Sequence, residues 1–326
     1  MALRFGIIGT GYFGRHYIRL LQEIEGVLLV GVAARTNEEI GGLSGSFKKY
    51  ASANDLLRDP DIDCVVIATP PSTHANFAIF ALENNKHVLL EKPMAVSLDE
   101  AWAIADIARK SNQICMIGHQ YCYNDHIRYL KKELEKKTIG EIKFLVVEHF
   151  YPGPIRLDTG CFWETATHEL AMIDYLFSSP RAIDITGRMV DMSGSGKDDF
   201  ATAVIAFDNG LTASITTSWF MPEKTRRIVV AGDNGQAVFD EKKIPPLMFY
   251  TQPYPVCESP EFHTSHFFKI SDNKKITPDV NPREPLRNQV EHFIECIKEH
   301  RVPVTDVEHG MRVTKLLHDI TAQMRR

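Results

Sequence analysis

Residues 3–14 read LRFGIIGTGYFG. A mostly apolar run ends in three glycines, Gly9, Gly11 and Gly14, spaced GxGxxG, and a helix-forming stretch opens directly behind them. The spacing alone is common. In the order strand, tight turn, helix it acquires physical meaning. Gly9 permits the turn, Gly11 lets the backbone approach a diphosphate, and Gly14 lets the helix pack close to the strand. The helix start then offers free N–H groups and a partial positive charge to an anion. Tyr12 and Phe13 either flank that ligand or pack the helix. A dinucleotide-binding unit is therefore expected at the start of the chain.

The next hundred residues support it. Short apolar runs at 3–8, 27–33, 64–68, 88–90 and 114–117 alternate with amphipathic stretches at 12–24, 73–84 and 98–110. Continuous apolar strands separated by helices imply a parallel sheet covered on both faces. After Gly118 the rhythm changes. Helical spacing at 125–137 and 165–177 brackets a strand at 141–151, and strands then follow one another at 183–189, 201–207, 211–219, 227–231 and 236–239. Asn209-Gly210 between two of them signals a tight hairpin. The fold class is α/β, with a dinucleotide-binding domain over 1–120 and an α+β domain with a mostly antiparallel open sheet over 121–326. Residues 245–281 read as irregular, and two helices at 286–299 and 308–325 close the chain.

Cofactor choice is read at the end of the second strand, where an acid would bind ribose hydroxyls and repel a 2′-phosphate. Ala34 stands there, followed by Arg35 and Thr36. A missing acid, a guanidinium and a hydroxyl favour NADP(H) over NAD(H).

Ligands of such sheets sit outside the carboxyl ends of the strands. Thr69-Pro70 and Glu91-Lys92-Pro93 both occupy such ends. Lys92 thus lands on the cofactor side, where desolvation would lower its pKa and leave a neutral amine able to take a proton. Glu91 is placed to hold the lysine or a ribose, and Pro93 fixes the chain direction.

GTGYFG, TPPSTH and EKPMA, in that order, closely resemble the glucose–fructose oxidoreductase / inositol dehydrogenase family, and the likeness runs along nearly the whole chain. The resemblance implies a Rossmann domain joined to an α+β domain whose open sheet builds a homodimer or homotetramer. It also implies reversible oxidation of a sugar or cyclitol hydroxyl, with Lys92 catalytic and with His74 and Gln120 joining Thr69, Pro70 and Glu91 in the cofactor site. The family's second signature is an acid, three residues and a histidine on a helix. FWETATHELAMIDYL matches it with Glu164 and His168, which share one helical face. His168 is then a second proton acceptor, and Trp163 and Glu164 join Lys92 and His168 against substrate. Two departures stand out. Ala171 replaces a family aspartate, leaving Glu169 or Asp174 as substitutes, and Cys122 stands where an arginine is frequent.

TTSWFMPEKTRRIVVAGDNGQAVFD and NPREPLRNQVEHFIECI look similar to the nucleotide-sugar dehydrogenase branch, including UDP-sugar 3-dehydrogenases. Lys224, Arg226 and Arg227 would meet a diphosphate or a uronate, or else form a solvated strand end or an oligomer contact. The expected activity is hydride transfer between a sugar or nucleotide-sugar hydroxyl and a nicotinamide. Rival readings are an inositol or free-sugar dehydrogenase or reductase, a non-catalytic dinucleotide sensor, and a hydrolase or lyase on the same scaffold.

Bulk properties exclude other classes. Net charge is −5 with acids and bases interspersed, which argues against a nucleic-acid partner. No run of apolar residues is long enough to span a membrane, and no signal-peptide pattern is visible. Six scattered cysteines without a CxxC pair suit a reducing, cytoplasmic setting. His263 and His266 lack further ligands at metal spacing, so no metal site is expected.

Overall fold

The computed structural model describes residues 2–36, 42–153, 155, 159–251 and 274–324. The HTSH pair and Cys257 lie outside these residues. The chain divides into two compact units, Met1–Asn124 with Arg283–Asp319, and Asp125–Pro282 with Ile320–Arg326.

In the first unit β1 (Leu3–Ile8), β2 (Val27–Ala33), β3 (Lys48–Tyr50), β4 (Cys64–Ile67), β5 (His87–Leu90) and β6 (Cys115–Ile117) form one sheet in the order β3-β2-β1-β4-β5-β6. Every neighbouring pair is parallel. β4 is buried at all positions, as a sheet covered on both faces requires. Helices α1 (Tyr12–Glu23), α2 (Ala53–Arg58), α3 (His74–Glu83) and α4 (Leu98–Lys110) connect the strands. Ser97 caps α4 by accepting from the Glu100 N–H, and Asp99 and Glu100 open its first turn while Arg109 and Lys110 close its last, matching the helix dipole. Strand order reverses between β1 and β4, the point at which sheets of this kind bind ligands.

A single cut after residue 120 does not describe this unit. The helix α7 (Pro285–Glu299) returns to it: Phe293 meets Phe5 edge-on at 6.2 Å, and Asn288 Nδ2 donates to the Tyr123 carbonyl at 3.0 Å. Thr305 then pairs with the β6 edge, its carbonyl accepting from the Ile117 N–H at 2.8 Å and its Oγ1 donating to the Ile117 carbonyl at 2.6 Å. Hydrogen-bonding groups that an edge strand would leave open are thereby used.

The second unit holds β7 (Ile142–Phe150), β8 (Ala182–Val190), β9 (Phe200–Phe207), β10 (Thr212–Ser218), β11 (Thr225–Gly232), β12 (Gly235–Asp240), β13 (Leu247–Thr251) and β14 (Lys274–Ile276) in the order β14-β13-β12-β11-β7-β10-β9-β8. All neighbours are antiparallel except β7 and β10. The Asn209-Gly210 turn joins β9 to β10, with Gly210 at φ +83°. Two helices, α5 (Asp125–Glu135) and α6 (Cys161–Leu176), belong to this unit. The last helix, α8 (Val307–Met324), has its residues to Asp319 in the first unit and from Ile320 in the second.

Among the described cysteines all five are buried thiols, and burial pushes Cys115 and Cys161 up to about 12. No described helix is long and apolar enough to cross a membrane, and no described cluster of His, Cys, Asp or Glu is arranged to hold a metal ion.

Candidate active site

The glycine loop is shaped by three different constraints. Gly9 has φ +98°, and a Cβ there would stand 2.4 Å from the Ala68 carbonyl oxygen. A Cβ on Gly14 would meet the Gly9 carbonyl oxygen at 2.1 Å, so the helix can lie this close to the turn only without a side chain. Gly11 is the opposite case: nothing lies within 4 Å of its added Cβ. Gly11 is also the N-cap of α1, which carries no side-chain cap and no acid in its first turn. Its start therefore keeps N–H donors and a positive dipole end for an anion, beside an open approach. This cradle fits a dinucleotide diphosphate. Tyr12 beside it is 76% exposed, so it does not serve to pack the helix. Phe13 meets Tyr12 edge-on at 5.4 Å.

Backbone pairing extends past the strands and aligns the other loops with this one. Gly9 N–H donates to Ala33 O, Ala68 N–H to Ile8 O, Glu91 N–H to Ile67 O and Gly118 N–H to Leu90 O, all between 2.7 and 2.9 Å. The glycine loop, Thr69-Pro70, Glu91-Lys92 and the segment leading to Gln120 thus leave one edge of one sheet side by side. Ala34, half-buried, and Arg35 and Thr36, exposed, follow β2 at the same edge.

Lys92 is half-buried and its bond to Pro93 is cis. Glu91 lies beneath it. Tyr17 Oη donates to Glu91 Oε1 at 2.5 Å, and the Lys92 N–H donates to Glu91 Oε2 at 3.1 Å. Burial raises the proton affinity of Glu91 above the usual carboxylate range, while Tyr17 and Lys92 pull it down. Its carboxylate is engaged inside the protein, which favours holding the lysine over holding a ribose. His74 is likewise an internal tie. It is fully buried, with Nδ1 2.9 Å from the Pro93 carbonyl and Nε2 2.9 Å from the Thr69 carbonyl. Both ring nitrogens face backbone, so the ring joins the β4 loop to the β5 loop and leaves neither nitrogen open to a ligand. Burial lowers its pKa.

In the second unit α6 carries Trp163, Glu164 and His168. His168 is buried. Trp163 and Glu164 are half-buried. The Trp163 Nε1 is buried with no hydrogen-bond partner among the described residues. Such a donor costs stability unless something accepts from it, so it is suited to a ligand oxygen.

Next to His168 lies a cluster that sequence reasoning did not assemble. His149 on β7 has its ring centroid 6.3 Å from that of His168. Its Nδ1 is 2.9 Å from Glu169 Oε1, and Arg226 Nη2 lies 2.6 Å from its Nε2. The same Nη2 lies 3.1 Å from Nδ1. A guanidinium only donates, so Nε2, the nearer nitrogen, is the one that offers it a lone pair. Arg226 Nε is 3.6 Å from Glu169 Oε1. Of the two substitutes for the missing aspartate, Glu169 serves this cluster. Asp174 takes the Ser179 hydroxyl at 3.4 Å.

The basic cluster at 224–227 comes apart by strand geometry. Arg226 faces inward and is buried, which pushes it down to about 10, still charged at neutral pH. Arg227 points to the other face, 3.6 Å from Glu148, and Lys224 lies 3.7 Å from Glu241. Period-two alternation along TRRIVV held the signal for this split.

Residues 3–119 match the oxidoreductase family with an NAD-binding Rossmann fold, and residues 127–238 match the GFO/IDH/MocA C-terminal domain. The chain belongs to the GFO/IDH/MocA oxidoreductase family. Within it, the chain is 26% identical over 323 residues to the UDP-N-acetylglucosamine 3-dehydrogenase of Acidithiobacillus ferrooxidans, covering 95% of this chain and 94% of that protein. A crystal structure of a protein of that name and organism matches with a TM-score of 0.82 at 25% identity, covering 99% of this chain and 98% of that one. The scyllo-inositol 2-dehydrogenase (NAD(+)) of Bacillus subtilis is 25% identical over 327 aligned positions, covering 94% and 90%.

Proposed function

We propose that this GFO/IDH/MocA oxidoreductase moves a hydride between a secondary hydroxyl or keto group of a sugar or nucleotide sugar and a nicotinamide cofactor. The observation that carries this reading is the shared sheet edge: the open Gly11 cradle after β1 and Lys92 after β5, with the Thr69-Pro70 loop of β4 between them, leave the same end of one sheet. Bound at that edge, the cofactor supplies the hydride acceptor or donor. The chain supplies the rest. Gly9 to Gly14 and the start of α1 hold the diphosphate. Lys92, His168 or both take the hydroxyl proton. Trp163, with its unmatched Nε1, and Glu164 orient the substrate. The relatives named above act on a nucleotide sugar and a cyclitol, which supports this substrate class.

NADP(H) is the proposed cofactor, because Ala34 and not an acid stands directly after β2, and Arg35 and Thr36 are exposed there. Exposed apolar positions on the second unit's sheet support a homodimer or homotetramer built through it. Buried thiols agree with a cytoplasmic setting.

Lys92→Met and His168→Ala test the assignment, with dinucleotide binding measured beside turnover on inositols, free sugars and UDP-N-acetylhexosamines. Each variant is expected to lose about 10²–10⁴-fold in turnover while binding dinucleotide normally. Wild-type turnover in both rules the assignment out. Ala171 favours one rival, a dinucleotide sensor: it is buried on α6 where the resembling family has an acid. Tight dinucleotide binding without turnover of any of these polyols would decide for the sensor.

A further inference from the structure

Glu91 has an environment that stability alone does not account for. It is 6% exposed, while Tyr17 and Gln289 beside it are fully buried. Gln289 Nε2 donates to Tyr17 Oη at 2.8 Å. That bond leaves the phenol hydrogen to point at Glu91 Oε1, 2.5 Å away. The other carboxylate oxygen takes the backbone N–H of Lys92 at 3.1 Å. Gly118 completes the pocket: a Cβ there would stand 3.2 Å from Glu91 Oε1. One chain of donors thus runs from α7 through α1, the helix that begins at the glycine loop, to the amide of the lysine.

The ionisable groups facing Glu91 are Lys92 from its own loop and Tyr17 from α1, with Tyr123 acting on Tyr17 from behind; Gln289 and Gly118 bring no charge. Burial dominates and raises the proton affinity of Glu91. For an acid raised on folding, the stabilising contribution is full below its unfolded pKa and is lost as pH rises through the folded value. Above that folded value the ionised carboxylate costs the fold something. The donors directed at it keep the ionised form in place.

We infer that Tyr17 and Gln289 are positioning residues for Lys92, acting through the ionised carboxylate of Glu91. This inference rests on the proposed role of Lys92 as a proton acceptor. Without the carboxylate the lysine backbone loses its anchor and its ammonium loses a buried anion that attracts it.

The test uses the full chain with Glu91→Gln, Tyr17→Phe and Gln289→Met. Two readouts need no substrate: thermal stability at mildly alkaline pH, and hydrogen exchange at the Lys92 amide. Two follow turnover: kcat against KM, and the pH profile of kcat. Glu91→Gln is expected to unfold at the same or a higher temperature, yet to lose about tenfold or more in kcat with KM and dinucleotide Kd nearly unchanged. Tyr17→Phe is expected to speed exchange at Lys92 by about tenfold while amides of β2 hold, and to move the acid limb of the kcat profile to higher pH. Gln289→Met should do the same to a smaller degree. A Glu91→Gln protein that loses stability but keeps wild-type kcat overturns the inference, as does Lys92 exchange unchanged in all three. A wild type that turns over no polyol defeats the proposed function instead, and the exchange and stability measurements still decide whether the donor chain holds the lysine.

Discussion

Gly11 and Gly14 stand three residues apart under opposite demands. An added methyl at Gly14 collides with the Gly9 carbonyl oxygen at 2.1 Å, whereas one at Gly11 meets nothing within 4 Å. Gly14→Ala is therefore expected to destabilise the first unit by about 1–3 kcal/mol, since backbone must move. Gly11→Ala is expected to leave stability within about 0.5 kcal/mol. It should nonetheless weaken dinucleotide binding about tenfold, or about 1.4 kcal/mol, because the methyl would occupy the approach of the diphosphate. Urea unfolding beside a fluorescence titration separates the two effects, and equal destabilisation by both substitutions would contradict the cradle. These glycines were legible in the sequence because their spacing encodes a local backbone path. Lys92 was legible because it follows a strand directly. The partners of Glu91 were not, since Tyr17 lies 74 positions from Glu91 and Gln289 lies 272 from Tyr17. The ties of His74 to Thr69 and Pro93 were hidden as well: a motif shows which residues neighbour a site but not which way a buried ring faces.

At the scale of elements, α6, β7 and β11 are tied by Glu169, His149 and Arg226, all nearly without solvent. Buried ions of this kind add little net stability when complete and cost much when one partner is lost. Arg226→Met should destabilise the protein by about 3–5 kcal/mol, because it strands the Glu169 carboxylate. Adding Glu169→Gln removes the stranded charge and should recover most of that loss. A denaturant series on the single and double variants checks this, and a double variant no more stable than the single would mean that the charges are not coupled. Long elements with a clear period were readable, including α1, α4 and the run of strands after 180. Three-residue strands such as β3 and β14 carry no period to read. The parallel pairing of β7 with β10 was equally hidden, because alternation fixes which face a residue takes and not the direction of its neighbour. The return of α7 to the first unit depends on contacts such as Phe293 with Phe5, which no local pattern announces.

At the scale of the whole molecule, the proposed assembly turns on the second unit's sheet. Phe144 and Val204 are both 44% exposed on it, and Val146 of β7, Val229 of β11 and Val238 of β12 lie half-buried in the cross-strand row that includes Val204. Eight strands at about 4.8 Å spacing, with seven residues at about 3.3 Å, make a face of roughly 900 Å². A stable interface needs roughly 800 Å² from each partner, so the face is large enough for one copy to cover another. Net charge works against it: at −5, two chains repel, and the apolar contact must outweigh that repulsion. Association is therefore expected to strengthen as salt screens the charge. Val204→Lys puts a cation on an already exposed position, so the monomer should fold and bind dinucleotide as before while the assembly falls apart. Light scattering on the wild type and on the variant, each at low and high salt, tests the argument. A wild-type mass of one chain at both salt levels, or a Val204→Lys protein of undiminished mass, would place the interface elsewhere or remove it.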